Sequence, residues 1–243
     1  MQEIPSLSTQ RDYYDEYWRT HELRLNANEI LRLAEILISI AEILPHFEGR
    51  SLRICDLGCG RGWLSAELLK FGEVTGVDLS PAAVSAAQTR WPQVRFCAAD
   101  ILNWRPDDCF DIVVSSEVIE HVTDQRHFAD TVHHLLRNGG YLVLTTPNGL
   151  AKEAWDAGDQ GQQVIENWLR PRQLRRLFST FDVLAHRVFV LDFAYVGLFR
   201  LTSAPKLLAV LRVARLIRLY NFFRGLLDMG LYQIFVGRID KSR

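Results

Sequence analysis

From residue 52 to residue 146, apolar runs of four to seven residues alternate with longer stretches whose apolar positions recur at helical spacing. The runs 52–57, 73–78, 94–97, 110–115 and 140–146 read as strands, and 62–71, 81–90 and 125–137 as helices. Strand and helix in alternation is the rhythm of βαβ units, which lay strands side by side in parallel, so five parallel strands are expected. Upstream, residues 28–44 set Glu35 and Glu42 a heptad apart among apolar positions, predicting an amphipathic helix ahead of the sheet with Asn28 as its N-cap. After Thr146 the rhythm changes. Pro147-Asn148-Gly149 opens a polar loop, Pro171 starts a helix ending near Ser179, and 181–191 and 231–236 read as a late pair of strands. The segment 192–229 between them is too long and too rich in Leu, Phe and Arg for a loop, and predicts an inserted helical element.

Length and charge narrow the class. The 243 residues suit one α/β domain with additions, and 28 basic against 29 acidic side chains give no bulk attraction to nucleic acid, so no nucleic-acid partner is expected. The start Met1-Gln-Glu-Ile-Pro5 has no basic, apolar and small-residue succession of a secretory leader, which predicts a cytoplasmic location. Cys55, Cys59, Cys97 and Cys109 match neither a zinc ribbon nor a disulfide framework and read as reduced thiols that fill space.

The chemistry gathers where the first strand ends. Asp56 stands two residues ahead of Gly58, and Gly58, Gly60 and Gly62 give a G-x-G-x-G turn that leads into a helix. Glycine permits positive φ and close backbone approach, and the helix start offers free N–H groups to a ligand. Val77-Asp78 then places a carboxylate at the end of the second strand, where α/β nucleotide folds bind a ribose diol. Nicotinamide and flavin enzymes space their glycines as G-x-G-x-x-G and have no counterpart of Asp100, so the dinucleotide reading fits less well.

Asp56-Leu-Gly-Cys-Gly-Arg-Gly62, Val77-Asp78-Leu79-Ser80, Ala99-Asp100-Ile101 and Glu117-Val-Ile-Glu-His-Val122 together resemble the class I S-adenosylmethionine-dependent methyltransferases, over roughly residues 50 to 190. With Gly139 to Pro147, the phrase after the fourth strand is most similar to the small-molecule branch that includes the ubiquinone-biosynthesis O-methyltransferases. The resemblance implies an α/β, Rossmann-like fold: a seven-stranded, mostly parallel sheet whose last strand is antiparallel. One domain, 1–243, would comprise an N-terminal helical cap (1–48), a cofactor-binding core (49–191), a helical insertion (192–229), and the last strand with its tail (230–243). It also implies S-adenosyl-L-methionine as donor and S-adenosyl-L-homocysteine as product. The glycine loop from Gly58 through Cys59 and Gly60 to Gly62 would hold the methionine part, Asp56 would lie near its amino group, and Asp78 with Leu79 would meet the ribose. Asp100 would accept from the adenine amino group, Ile101 would cover the ring, and Ser116 and Glu117 would line the site. Carboxylates and aromatic faces suit a sulfonium.

The activity so implied is methyl transfer to a small organic acceptor at oxygen, by in-line displacement. Transfer to nitrogen or carbon and a non-catalytic donor-binding module are the alternatives. Ser115-Ser-Glu-Val118 carries neither the Asn/Asp-Pro-Pro-aromatic motif of base N-methyltransferases nor the Pro-Cys of cytosine-C5 enzymes. His121 is the candidate catalytic base, because imidazole titrates near neutral pH; a helix-capping or packing role competes with it. Glu117, Glu120 and His121 are acceptable ligand types for a divalent cation, a role linked to the same phrase in the ubiquinone branch. Adjacent residues point different ways on a helix, so no metal is expected.

Tyr13, Tyr14, Tyr17 and Trp18 read either as a mobile cover or as an aromatic stripe packed on the sheet, and Trp168, Arg170, His127, His133 and His134 as structural or surface residues. From Lys206 to Arg224 the insertion is basic, apolar and free of acids. Three destinations remain open for it across 200–226: a membrane surface or lipid-linked acceptor, a homodimer interface, or a lid over the acceptor pocket. Asp192, Arg200, Pro205 and Lys206 interrupt it too often for a bilayer span.

Overall fold

The computed structural model describes residues 5–20, 26–156, 163–190, 204–213 and 216–242. Two helices, α1 (Leu7–Thr20) and α2 (Ala27–Ile43), precede the sheet. Asn26, not Asn28, caps α2. Its side chain accepts the Glu29 N–H at 3.0 Å while the Glu29 carboxylate accepts the Asn26 N–H at 2.6 Å. This reciprocal box needs an acid three residues after the cap; Asn28 would meet Leu31 there.

Seven strands follow: β1 (Leu52–Leu57), β2 (Gly72–Asp78), β3 (Arg95–Ala98), β4 (Phe110–Ser116), β5 (Leu136–Pro147), β6 (Phe181–Phe189) and β7 (Tyr232–Ile239). They lie in the order β3-β2-β1-β4-β5-β7-β6. The first five pair in parallel, and β7 runs antiparallel to both β5 and β6. This is the mostly parallel sheet with a reversed last strand that the resemblance implies. Between the strands lie α3 (Trp63–Leu68), α4 (Pro81–Arg90), α5 (Gln125–Leu135), α6 (Lys152–Asp156) and α7 (Pro171–Leu177), with α8 (Pro205–Val213) and α9 (Ile217–Leu226) ahead of β7. Of the expected insertion, 192–203 and 214–215 lie outside the described residues.

Both sheet faces are covered, so the central strands are apolar throughout instead of alternating. Ile54, Ile112, Val114 and Val143 pack with Ile36 and Ile40 of α2 and Leu64 and Leu68 of α3. Leu57, Val113, Leu142 and Phe235 pack on the other side with Phe128 and Val132 of α5 and Leu174 of α7. Some boundaries differ from the sequence reading. The fifth strand begins at Leu136, not at 140, and takes in Asn138-Gly139-Gly140, where Gly139 takes φ +75° and the register against β4 slips between Phe110 and Ile112. Pairing with β4 absorbs this turn-prone triplet as a bulge. The helix after the glycine turn stops at Leu68, because β2 begins at Gly72, where a side chain would strike the Leu52 carbonyl.

Candidate functional site

Strand order reverses between β1 and β4, and in open α/β sheets the crevice at such a switch point receives ligands. A cavity of about 650 Å³ opens there. Its lining brings together Asp56, Gly58, Cys59, Gly60, Asp78, Leu79, Asp100, Ile101, Ser116, Glu117 and His121, whereas Gly62, at the end of the glycine loop, does not line it.

The loop after β1 has the expected backbone, with Gly58 at φ +85° and Gly60 at φ +51°. The close approach is made by the protein itself. A Cβ on Gly58 would lie 2.2 Å from Val118, and one on Gly60 2.6 Å from the Trp18 ring. Asp78 braces this loop: one carboxylate oxygen accepts the Gly60 N–H at 2.8 Å and the other the Ser80 N–H at 2.9 Å. Burial raises the Asp78 pKa, and the backbone N–H groups oppose the rise. Asp56, sealed at the end of β1, accepts the Ser65 hydroxyl at 2.5 Å, and burial pushes it up to about 7. Asp100 accepts the Leu102 N–H at 3.1 Å and the Asn103 amide at 2.6 Å. Cys59 is a buried thiol whose pKa burial raises well above its usual value.

The turn after β4 supplies the opposite wall. Glu117 takes the left-handed φ of +58° and pairs with Arg32 of α2 at 3.2 Å. The Arg32 guanidinium in turn lies 5.2 Å from the centroid of the Tyr232 ring. Glu120 is 1 % exposed and accepts the Thr146 hydroxyl at 2.9 Å. Burial pushes both glutamates up to about 7, with Arg32 acting against the rise. His121 has Nδ1 2.7 Å from the Ile165 carbonyl oxygen. A carbonyl only accepts, so Nδ1 carries the proton and the neutral ring presents its lone pair at Nε2, 3.7 Å from Glu120 Oε1. Burial lowers the His121 pKa and favours that neutral form.

Helix α1 lies over this space. Tyr14, Tyr17 and Trp18 all line the cavity, and the Tyr14 ring meets His121 edge-on at 6.4 Å. The Asp15 carboxylate accepts the Ser80 hydroxyl and, at 3.1 Å, the Ala82 N–H, tying α1 to the start of α4. Sequence reasoning did not find Arg32, Trp155, Glu166 or Tyr232, and it read Trp168 as structural; all five line the cavity. No local spacing marks them, since they meet the site through tertiary packing. The Trp155 and Trp168 rings meet at a tilt, with centroids 5.5 Å apart, and Lys152 bridges to Glu166 at 3.2 Å. Among the described residues no group of three or more His, Cys, Asp or Glu side chains is arranged to hold a metal ion.

Comparison with known proteins places this geometry. The Methyltransf_23 family, described as a methyltransferase domain, matches residues 17–183. A ubiquinone biosynthesis O-methyltransferase of Sinorhizobium fredii is 35 % identical over 127 residues, 49 % of this chain and 50 % of that protein. The chain spans about half the length of the curated relatives it matches. The N-methyltransferase NodS of Bradyrhizobium japonicum, solved with S-adenosyl-L-homocysteine, superposes with a TM-score of 0.62 at 16 % identity, over 94 % of this chain and 99 % of that one. The [4+2]-cyclase SpnF superposes at 0.66 with 14 % identity, over 98 % and 97 %. At such identities the likeness shows the fold, and the cyclase shows how far chemistry diverges on it. The family match over most of the chain carries the assignment: this protein belongs to the methyltransferase-domain family, within the class I S-adenosylmethionine-dependent superfamily.

Proposed function

We propose that this protein transfers the methyl group of S-adenosylmethionine to an oxygen of a small organic acceptor. The observation that carries the reading is one cavity that holds both the Gly58–Gly60 loop with Asp78 and Asp100 and, across from them, the neutral imidazole of His121. The bound donor supplies an electrophilic methyl group. Asp78 takes the ribose hydroxyls, Asp100 the adenine amino group, and Asp56 lies towards the amino acid end. The carboxylates and aromatic rings of the lining match a cationic sulfonium, with Arg32 already engaged by Glu117. His121 Nε2 accepts the hydroxyl proton as the acceptor oxygen attacks in line. The Ile165 carbonyl holds the required tautomer, and Glu120 stabilises the imidazolium that forms. Helix α1 excludes water. The ubiquinone-biosynthesis relative, an O-methyltransferase by name, supports oxygen as the methylated atom.

Titration calorimetry with S-adenosylmethionine and S-adenosylhomocysteine, with NAD as control, tests the donor site. Wild type should bind both, Asp78→Ala at least about tenfold more weakly. Absent binding, or preference for NAD, would overturn the reading. An acceptor screen by S-adenosylhomocysteine release follows: His121→Ala should keep donor binding and lose about 10²-fold or more in turnover. Turnover unchanged in this variant would remove His121 as base, and donor binding with no release for any acceptor would mark a non-catalytic module.

A further inference from the structure

In the described part of the insertion, α8 and α9, Leu208 is buried but most of the described apolar side chains are exposed. Among the described residues, six of the thirteen large apolar side chains left exposed fall on this short stretch: Leu207, Val210, Leu216, Leu219, Phe223 and Leu227. Val210 is 65 % exposed and Leu227 67 %. On α9 and its ends, positions 216, 219, 223 and 227 recur at helical spacing and so share one face. The exposed side chains of Arg212 and Arg218 lie on the same two helices. In sequence, 204–227 contains five Lys or Arg and no Asp or Glu, within a protein whose net charge is −1.

A lid would turn its apolar face to the cavity, yet no described residue of 204–227 lines it. A second copy docked on this face would bring basic residues against basic residues with no acid in the segment to answer them. A bilayer of anionic lipid answers both features: headgroups meet the arginines while the apolar side chains enter the acyl boundary. Among the described residues no helix is long and apolar enough to cross a membrane. We infer that α8 and α9 form a peripheral docking surface for anionic phospholipid membranes. The surface leads along the chain to the candidate site. After α9 the chain is fastened by the Asn148 amide, which donates to the carbonyls of Asp228 at 2.8 Å and Gly230 at 2.9 Å, and it then delivers Tyr232 into the cavity wall.

Co-sedimentation of the full chain with vesicles of phosphatidylcholine, with and without phosphatidylglycerol, tests this. Binding should require phosphatidylglycerol and fall as salt rises. Val210→Ser with Leu219→Ser should weaken it by about tenfold or more, and Arg218→Glu by about tenfold with a shallower salt dependence. These side chains are exposed, so thermal melts should match wild type and separate lost docking from lost folding. Absent binding, equal binding to both vesicle types, or a dimer in sedimentation velocity that the same substitutions dissolve would each overturn the inference.

Discussion

Three carboxyls at the site, Asp56, Glu117 and Glu120, sit in surroundings that push them up to about 7. Unfolded, they titrate near 3.8 for the aspartate and 4.5 for the glutamates. Between those values and about 7 the native state therefore binds more protons than the unfolded chain. Their contribution to stability is fully present below the unfolded values and is lost as pH rises through about 7. Glu120→Gln should flatten this decline and raise Tm near pH 8 by about 2–4 °C for each kcal/mol recovered. Melting curves from pH 5 to 8 check it, and a slope as steep as wild type would count against the assignment. Arg32→Ala acts the opposite way, leaving Glu117 buried with no cation and costing about 3–5 kcal/mol in chemical denaturation. The acids were legible in the sequence because Asp56 and Glu117 fall where strands end and Glu120 belongs to the same recognisable phrase as Glu117. Arg32 was not, because on the face of an amphipathic helix it reads as a solvated charge until Glu117 and Tyr232 meet it.

At the scale of elements, α1 differs from the rest. It has no buried residue, and the Asp15 clasp and the Trp18 ring over Gly60 are among the contacts that fasten it. Few buried apolar contacts mean a low local opening free energy. Asp15→Ala should leave global stability within about 1 kcal/mol while speeding donor release about tenfold or more, the equivalent of one lost charge-assisted contact. Stopped-flow tryptophan fluorescence would read this, and an unaltered release rate would show that the clasp does not gate the cavity. The aromatic spacing of α1 was visible in the sequence, but spacing alone cannot choose between cover and stripe. Choosing requires the loop it lies on. The start of β5 was illegible for a related reason, since Asn-Gly-Gly has the composition of a turn and only the pairing of Leu136 and Tyr141 with β4 on either side of it carries it within the strand.

Across the whole molecule, the sheet was readable because its strands are continuous apolar runs closed by glycine and carboxylate. The acceptor wall was not, since it is assembled from α2, the turn after β4, the 163–168 segment and Tyr232. At the opposite end of the central strands from the site, Asp111 accepts from Arg50 at 2.9 Å and from the Arg53 N–H at 2.7 Å and pairs with Arg137 at 2.6 Å, joining β1, β4 and β5. Asp111→Asn should cost about 2–3 kcal/mol in urea unfolding with donor affinity unchanged. A loss of affinity at full stability would show that the two ends of the sheet are coupled. The strand order also bears on assembly. Because β7 sits between β5 and β6, it leaves the ribosome after both of the strands it joins. Until it arrives, β5 presents an open edge and β6 has no strand to pair with, and such bare edges invite pairing with other chains. A nascent chain halted before Tyr232 would therefore hold its glycine loop in place and yet be the form most prone to aggregate and most in need of a chaperone.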